Sequence, residues 1–221
     1  MSKEILDSWN KNAGEWIKVI QNDAIPSRKF TNKAILEMVS ELDGKKMVDI
    51  GCGEGWLTRE MQKMGRKATG LDATKSFIEQ ARRLGNQTFE VFTFEEIIDG
   101  KPMPNAPFDA AVFNFCLYLK DGLTELLSNT LKQLAPNGTL VIQTLHPFFL
   151  LQYGLPYKSQ WLSDSWKGLP GDFTDGHSWY ARTMEDWVAE LNRLENINFS
   201  MKEIVNDEKK PISLIIKINK Q

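Results

Sequence analysis

The feature that most constrains this chain is a glycine-rich segment that follows a short apolar run. Residues 46–50 have the character of a buried strand, three glycines follow at alternate positions (Gly51, Gly53 and Gly55), and helical periodicity begins at Leu57. Glycine at a strand-to-helix turn adopts a positive φ without strain and lets a ligand approach the backbone. The segment therefore predicts a strand–turn–helix unit that binds a nucleotide-type cofactor.

Three types of cofactor-binding turn can be compared with this segment. A dinucleotide-binding turn requires G-x-G-x-x-G, but Trp56 occupies the position of the third glycine. A phosphate-binding P-loop ends in G-K-[ST], and Gly55-Trp56-Leu57 has neither the lysine nor the hydroxyl. The third pattern, D-x-G-x-G-x-G, begins at Asp49 at the end of the strand. It resembles motif I of the class I S-adenosylmethionine (SAM) methyltransferases.

A second predicted strand ends in a carboxylate at the spacing that the first motif requires. Residues 66–72 form this strand, and Asp72 follows the glycines by about 20 residues, where an acid binds ribose hydroxyls in such folds. Asp72 would alternatively serve the start of the next helix, beside Thr74 as its N-cap. The run 70–74 is similar to the second motif of the methyltransferase family, which favours the ribose role.

The composition is that of an ordinary globular protein. The 221 residues are 42% hydrophobic and 25% charged, which predicts one domain over residues 1–221. The net charge of −2 and the lack of a basic stripe argue against a nucleic-acid partner, and no apolar run suits a membrane or a signal peptide. The two cysteines, Cys52 and Cys116, lack metal-binding spacing. No metal and a cytoplasmic location are therefore expected.

The order of helix and strand patterns divides the chain into parts. Residues 1–44 contain two amphipathic patterns, a predicted helical cap, and residues 45–145 alternate strands with helices as parallel βαβ units do. Residues 183–221 read as a helix and an antiparallel hairpin. This arrangement resembles the Rossmann-like class I methyltransferase fold. That α/β fold has a seven-stranded, mostly parallel sheet with helices on both faces, and its last strand lies between the fifth and sixth.

The resemblance implies cofactor-binding residues at the carboxyl ends of the first four strands. The family usually has an acid after the third strand that binds the adenine amine. This chain has Thr93 there, so its hydroxyl or a backbone carbonyl would take over that bond, and Phe94 would pack on adenine or in the core. The residues so implied are Asp49, Gly51, Cys52, Gly53, Gly55, Asp72, Ala73, Thr93, Phe94, Glu95, Asn114 and Phe115.

Two positions of the helical cap are further candidates for cofactor binding. Arg28 follows a Pro-containing break, and a guanidinium can bind the cofactor's carboxylate through two parallel hydrogen bonds. An exposed arginine in the first turn of a helix is the alternative. Trp16 shares a helix face with Trp9, so that the pair would either cover the cofactor or pack in the core.

Residues 146–182 form a connection far longer than such a fold needs, and we interpret them as a substrate lid. The segment contains both histidines, three of the seven tryptophans and three of the four tyrosines of the chain. Such rings can exclude water from a reaction, and an arginine there would bind a substrate carboxylate. The predicted substrate-binding residues are Trp161, Trp166, Trp179, Tyr180 and Arg182.

His146, at the end of the fifth strand, is the predicted general base, with a role in shaping its loop as the alternative. His177 is predicted in a surface turn. Segments 143–147 and 179–183 resemble a branch of the family that is distantly similar to ubiquinone-biosynthesis-type O-methyltransferases. The resemblance implies a monomeric or homodimeric enzyme that methylates oxygen or nitrogen of a small molecule and releases S-adenosylhomocysteine (SAH). A non-catalytic SAM- or SAH-binding or scaffold protein with the same fold is the alternative.

Overall fold

The computed structural model describes residues 3–221, in which helices surround a central sheet. The helices are α1 (Lys3–Gln21), α2 (Arg28–Ser40), α3 (Trp56–Lys63), α4 (Lys75–Leu84), α5 (Phe94–Ile98), α6 (Leu123–Lys132), α7 (Phe149–Gln152) and α8 (Met184–Leu191). The strands are β1 (Lys46–Ile50), β2 (Lys67–Asp72), β3 (Thr88–Val91), β4 (Phe108–Asn114), β5 (Leu134–Leu145), β6 (Gln160–Leu162), β7 (Trp179–Ala181), β8 (Ile197–Val205) and β9 (Pro211–Lys220).

The main sheet has seven strands in the order β3-β2-β1-β4-β5-β9-β8. β1 to β5 pair in parallel because helical segments cross over between them, and β8 and β9 are antiparallel because a short turn joins them. β9 also pairs antiparallel with β5, so the last strand lies between the fifth and sixth strands of this sheet. The predicted fold is confirmed, including the inserted last strand.

Both faces of the sheet are covered, which explains why its central strands are apolar at consecutive positions. On one face Phe113 packs with α5, α6 and α8 through residues such as Leu126 and Trp187. On the other face Val112 packs with α2 and α3 through residues such as Ile35 and Met61. Alternate side chains of one strand thus enter two different cores.

The long connection between β5 and α8 folds against α1. Within it, β6 and β7 form a two-stranded antiparallel unit (the lid hairpin), an element that the sequence patterns did not predict. Residues 163–178 (the roof segment) follow β6 and bind α1. The Asn12 amide donates to the carbonyl of Thr174 (2.7 Å) and accepts from its N–H (2.9 Å). Within residues 3–221, no helix is both long enough and apolar enough to span a membrane.

Candidate cofactor and acceptor site

A cleft of about 1000 Å³ lies at the carboxyl ends of β1, β2 and β4. The glycine turn forms its floor, and α1, the start of α2 and the roof segment cover it. In open α/β sheets the ligand binds at this edge because the strand order reverses between neighbouring crossovers. The cleft is therefore the candidate functional site, with a cofactor end at the glycine turn and an acceptor end at the lid hairpin.

The backbone of the glycine turn cannot accommodate side chains at two positions. Gly51 and Gly55 have φ values of 75° and 82°. A Cβ on Gly51 would lie 2.6 Å from the Cβ of Cys116, and one on Gly55 would lie 2.6 Å from the ring of Phe89. Gly51 lines the cleft, whereas Gly55 is the N-cap of α3 and packs away from it. Gly53, between them, has open space beside it, and a ligand can approach its backbone there.

Asp72 connects the glycine turn to the start of α4. One carboxylate oxygen accepts from the N–H of Gly53 (2.9 Å) and the other from the N–H of Thr74 (2.7 Å). Thr74 is the N-cap residue of α4 and its side chain makes no capping bond, so Asp72 fixes the start of the helix through the backbone of Thr74. Burial raises the pKa of Asp72, and the two backbone bonds oppose that shift. Asp72 and Ala73 both line the cleft.

Asp49 is a buried carboxylate directly below the glycine turn. It is 1% exposed and accepts a hydrogen bond of 2.7 Å from the hydroxyl of Thr58 on α3. Burial, which disfavours the charged form, raises its pKa to about 7, and the nearby carboxylates of Asp72 and Glu54 add to this shift. Glu54 is itself paired with Arg59 at 2.6 Å. The floor of the cleft therefore favours a cationic ligand.

Thr93, after β3, was predicted to bind the adenine amine, but its hydroxyl caps a helix instead. The Thr93 hydroxyl accepts from the N–H of Glu96 (3.2 Å), and the Glu96 carboxylate accepts from the N–H of Thr93 (2.8 Å). This capping box commits Thr93 to α5. Among the described residues that line the cleft, neither Thr93 nor Glu95 occurs, whereas Phe94 does. Phe94 also packs edge-on against Phe113, which agrees with its alternative role in the core, and packing on adenine stays a prediction.

Asn114 and Phe115 line the cleft where β4 ends. The Asn114 side-chain oxygen is buried and has no hydrogen-bond partner within residues 3–221. A buried acceptor without a donor costs free energy until a ligand supplies one. An ammonium group is such a donor, so the residues present fit the amino-acid end of SAM.

Arg28 and Trp16 both line the cleft from the helical cap. The Arg28 guanidinium lies 5.1 Å from the centre of the Trp56 ring. Burial lowers its pKa, and the charges of Glu54 and Asp23 oppose that shift. Ser27, the N-cap residue of α2, makes no capping bond with its side chain. Arg28 is placed to bind a carboxylate that enters the cleft.

Because side chains alternate along its strands, the lid hairpin places Trp179 and Trp161, two of the predicted substrate-binding aromatics, on opposite faces. Trp179 and Leu162 are paired neighbours on the inner face and line the cleft, where Trp179 stacks on Phe149 with ring centres 5.3 Å apart. Trp161 and Tyr180 are paired on the other face, where Trp161 is 53% exposed, whereas Tyr180 is half-buried and still borders the cleft. Trp161 is not among the described residues that line the cleft, so the structure does not support its substrate-binding role.

Trp166 and Tyr180 reach the cleft in different ways. Trp166, in the roof segment, is buried, stacks on Phe173 and donates its indole N–H to the hydroxyl of Ser8 on α1 (3.0 Å). Tyr180 is half-buried and borders the cleft beside Arg182. Both positions are compatible with the predicted substrate contacts.

Arg182 lines the cleft but is not free to bind a substrate carboxylate. Its two terminal nitrogens donate to the carbonyl oxygens of Leu119 (2.7 Å) and Lys120 (2.6 Å). Within residues 3–221, its Nε has no hydrogen-bond partner, and the Oδ2 of Asp186 is 3.6 Å away. The predicted role in substrate binding is therefore replaced by a structural contact with the loop after β4.

His146 is turned away from the cleft. Its Nε2 lies 2.8 Å from a carboxylate oxygen of Glu203 on β8, and its Nδ1 accepts from the N–H of Phe148 (3.0 Å). Leu145 lines the cleft, but His146 is not among the described residues that do so. Because both ring nitrogens are already bonded, this geometry is at odds with the general-base prediction and agrees with the alternative of loop shaping.

His177 is buried instead of lying in a surface turn. Its exposure is 0%, and its ring packs against Trp9, Tyr118 and Trp166. Burial lowers its pKa, so the neutral form is favoured. The ring supports the wall of the cleft from behind, because those three neighbours all line it.

The cleft is also lined by aromatic residues that the sequence analysis did not single out as ligands, among them Tyr118, Phe149 and Trp187. Tyr118 lies in the loop after β4, and the rule that ligands bind beyond the carboxyl ends of strands would have selected it. Trp187, on α8, carries no such signal. Within residues 3–221, no group of His, Cys, Asp and Glu side chains is arranged to hold a metal ion.

A family model described as a methyltransferase domain matches residues 27–199. The chain belongs to this family. A malonyl-[acyl-carrier protein] O-methyltransferase of Halalkalibacterium halodurans is 32% identical over 157 residues, which are 66% of this chain and 56% of that protein. A demethylmenaquinone methyltransferase of Tropheryma whipplei is 25% identical over 70% of this chain and 65% of its own length. The chain thus spans less than two thirds of the length of these curated methyltransferases.

Solved structures share the fold of this methyltransferase domain. A SAM-dependent methyltransferase of Mesorhizobium loti superposes with a TM-score of 0.65 at 22% identity, over 85% of this chain and 96% of that one. The complex of DhpI with SAM and HEP superposes with a TM-score of 0.66 at 18% identity, over 99% of both chains. The predicted resemblance to SAM-dependent methyltransferases is confirmed at the level of family and fold.

Proposed function

We propose that this protein is a SAM-dependent methyltransferase that methylates oxygen or nitrogen of a small molecule and releases SAH. The observation that carries the proposal is the cofactor end of the cleft. A side-chain-free turn at Gly51 and Gly53, a fixed carboxylate at Asp72 and an unpartnered oxygen on Asn114 meet in one place. The first would border the methionine part, the second the ribose and the third the ammonium.

The chain's own residues would bind and orient the cofactor. When bound, SAM supplies an electrophilic methyl group for in-line displacement. Arg28 would hold the carboxylate, Trp16 would cover it, and the ionised form of Asp49 would stabilise the positive charge of the ligand. The aromatic walls would exclude water from the space around the reacting atoms. Methyl transfer to an aligned acceptor is then favoured over hydrolysis of SAM.

The acceptor end favours a small molecule with an apolar body. Phe149, Trp179 and Leu162 form one wall, and Tyr118 and Trp187 border the same space. The relatives named above for demethylmenaquinone and malonyl-[acyl-carrier protein] act on different acceptors, so they support methyl transfer and not one particular acceptor. His146 is turned away from the cleft and bonded at both ring nitrogens, so it is not placed to remove a proton from the acceptor. An acceptor group that is already ionised, or that reacts without losing a proton first, therefore suits the site.

Isothermal titration calorimetry with SAM, SAH and NAD tests the cofactor assignment. We expect binding of SAM and SAH and no heat from NAD. NAD binding together with no response to SAM would contradict the proposal. An Arg28→Gln variant is the matched test of the carboxylate contact, and Arg83→Gln on α4 is the control because Arg83 is exposed and outside the cleft.

Turnover separates an enzyme from a non-catalytic binding protein with the same fold. SAH release from SAM is followed across a panel of phenols, carboxylic acids and amines of matched size. Release with any of them excludes a pure binding module, whereas tight SAM binding with no release across the panel favours that alternative.

We further propose that the protein acts in the cytoplasm as a monomer or homodimer and binds no nucleic acid. Light scattering of the purified chain tests the oligomeric state.

A further inference from the structure

Arg182 lies where the lid hairpin meets the loop after β4, and that loop encloses its guanidinium. Nη1 donates to the carbonyl oxygen of Leu119 (2.7 Å) and Nη2 to that of Lys120 (2.6 Å). The residue is only 4% exposed. The guanidinium also lies over the rings of Tyr180 (5.0 Å) and Trp187 (5.5 Å). Its planar fork therefore fixes two consecutive peptide groups of one loop at once.

The loop that Arg182 holds, residues 115–120, belongs to the cofactor end of the cleft. Its residues 115–118 line the cleft beside the glycine turn. The Cys116 thiol donates to the carbonyl oxygen of Ile50 at 3.1 Å, which fixes the loop to the end of β1. A cofactor bound on the glycine turn would contact this loop directly.

The lid hairpin belongs to the acceptor end and is attached to the same loop. The N–H of Tyr180 on β7 donates to the carbonyl oxygen of Tyr118 (3.0 Å). Next to it, Trp179 faces the cleft and stacks on Phe149. Arg182, one residue beyond the hairpin, thus adds two side-chain bonds to this single backbone contact.

The incomplete pairing of Arg182 indicates that packing alone does not explain it. Its Nε and the Oδ2 of Asp186 are 3.6 Å apart, and each is buried without a hydrogen-bond partner in the part of the chain that the structure describes. A buried charge with an unmatched donor is costly, and an apolar side chain would pack on the same rings at lower cost. What an apolar side chain cannot do is bind the two carbonyl groups of the loop.

We infer that Arg182 is a positioning residue that joins the cofactor loop and the lid hairpin into one unit. Cofactor binding then orders the acceptor end before the acceptor arrives. The inference rests on the proposed cofactor site, because it is the bound cofactor that orders residues 115–120.

Hydrogen exchange measured by mass spectrometry, with and without saturating SAH, tests this coupling. In the wild-type protein we expect SAH to slow exchange about five-fold or more in 115–120 and also in 160–162 and 179–181. In Arg182→Lys and Arg182→Gln, SAH still slows exchange in 115–120, but the effect on the two hairpin strands is lost. Arg193→Gln is the control, because the Arg193 side chain is 63% exposed and pairs with Glu190. We expect this variant to show the same exchange pattern as the wild-type protein.

Each outcome either supports the inference or overturns it. Unchanged exchange in the wild-type hairpin on SAH binding overturns it, as does a folded Arg182→Gln protein that keeps the full pattern. If neither Arg182 variant folds, the wild-type pattern decides alone. If calorimetry detects no SAH binding, the proposed function fails together with the inference, whereas SAH binding without a hairpin response removes only the inference.

Discussion

Three carboxylates lie around the glycine turn, and each has a different set of partners. Asp72 accepts from two backbone N–H groups, Asp49 accepts from one hydroxyl, and Glu54 is paired with an arginine. These differences decide what each residue contributes to ligand binding. Asp72 is fixed in position, Asp49 has a raised pKa, and Glu54 is largely neutralised by its partner.

Replacing Asp72 should weaken cofactor binding without unfolding the protein. Asp72→Asn keeps one acceptor oxygen but places its amide NH2 against one of the two backbone N–H groups that the carboxylate binds. We expect SAM binding to weaken by about 1–3 kcal/mol, the usual cost of leaving a buried polar group unpaired. Calorimetry measures this, with Asp99→Asn, an exposed position outside the cleft, as the control. An unchanged dissociation constant would restrict Asp72 to fixing the glycine turn and the start of α4.

The raised pKa of Asp49 predicts a pH dependence of both stability and binding. With a pKa of about 7, the folded protein keeps a proton that the unfolded chain has lost, so the free energy of unfolding should fall as the pH rises from about 4 to about 7. A cationic ligand favours the ionised carboxylate. SAM binding should therefore release a proton near pH 7 and tighten as the pH rises through that value.

Calorimetry at pH 7 in two buffers with different ionisation enthalpies measures the proton release. Asp49→Asn, which can retain the bond to Thr58, should abolish it. SAH lacks the positive charge on sulfur and should release fewer protons than SAM. Equal heats in both buffers for the wild-type protein would show that Asp49 does not respond to the ligand.

At the scale of elements, sequence patterns predicted the helices, strands and turns that depend on neighbouring residues. They missed the contacts between side chains and backbone groups that are distant in the sequence. The glycine turn, the alternating strands and helices and the final hairpin are local signals, and the sheet follows from them. The partners of Arg182 are carbonyl groups of Leu119 and Lys120, which no sequence pattern identifies. The lid hairpin has strands of only three residues, too short for a periodic pattern to be recognised.

The direction of His146 shows how sensitive strand ends are to a shift of one residue. Thr144 and Leu145 both line the cleft, but β5 ends at Leu145 and His146 is the first residue beyond it. His146 consequently connects the end of β5 to β8 through Glu203.

His146→Ala should therefore affect stability and not cofactor binding. The substitution leaves the buried N–H of Phe148 without its acceptor, so the free energy of unfolding should fall by about 1–3 kcal/mol. Glu203→Ala should cost less than about 1 kcal/mol because its carboxylate is largely exposed. Urea unfolding measures both, and calorimetry should return the wild-type SAM affinity. A large loss of turnover at unchanged stability would restore the general-base interpretation.

At the scale of the whole molecule, β9 holds the antiparallel part of the sheet to the parallel part. Ile216 pairs with Ile142 of β5 on one side and Met201 of β8 on the other, and it is fully buried. Both cores contain residues of this strand. Damage to β9 should therefore destabilise the entire fold and not one edge of it.

Ile216→Ala should lower the free energy of unfolding by about 2–5 kcal/mol, because it leaves a cavity in the core on the face of the sheet that α5, α6 and α8 cover. Val205 is 38% exposed at the end of the edge strand β8, so Val205→Ala should change the free energy of unfolding by less than about 0.5 kcal/mol. Urea denaturation followed by tryptophan fluorescence compares the two. A small effect of Ile216→Ala would mean that β8 and β9 can separate from the rest of the molecule.

The position of β9 also affects the protein while it is being made. A ribosome delivers β5 and then β8 before it delivers β9, yet β5 and β8 do not pair with each other in the finished sheet. Until β9 emerges, the nascent chain carries an open edge on β5, flanked by apolar side chains such as Leu140 and Ile142. Open apolar edges are prone to pairing with other chains. The interval between the synthesis of β5 and that of β9 therefore leaves the nascent chain open to such pairing.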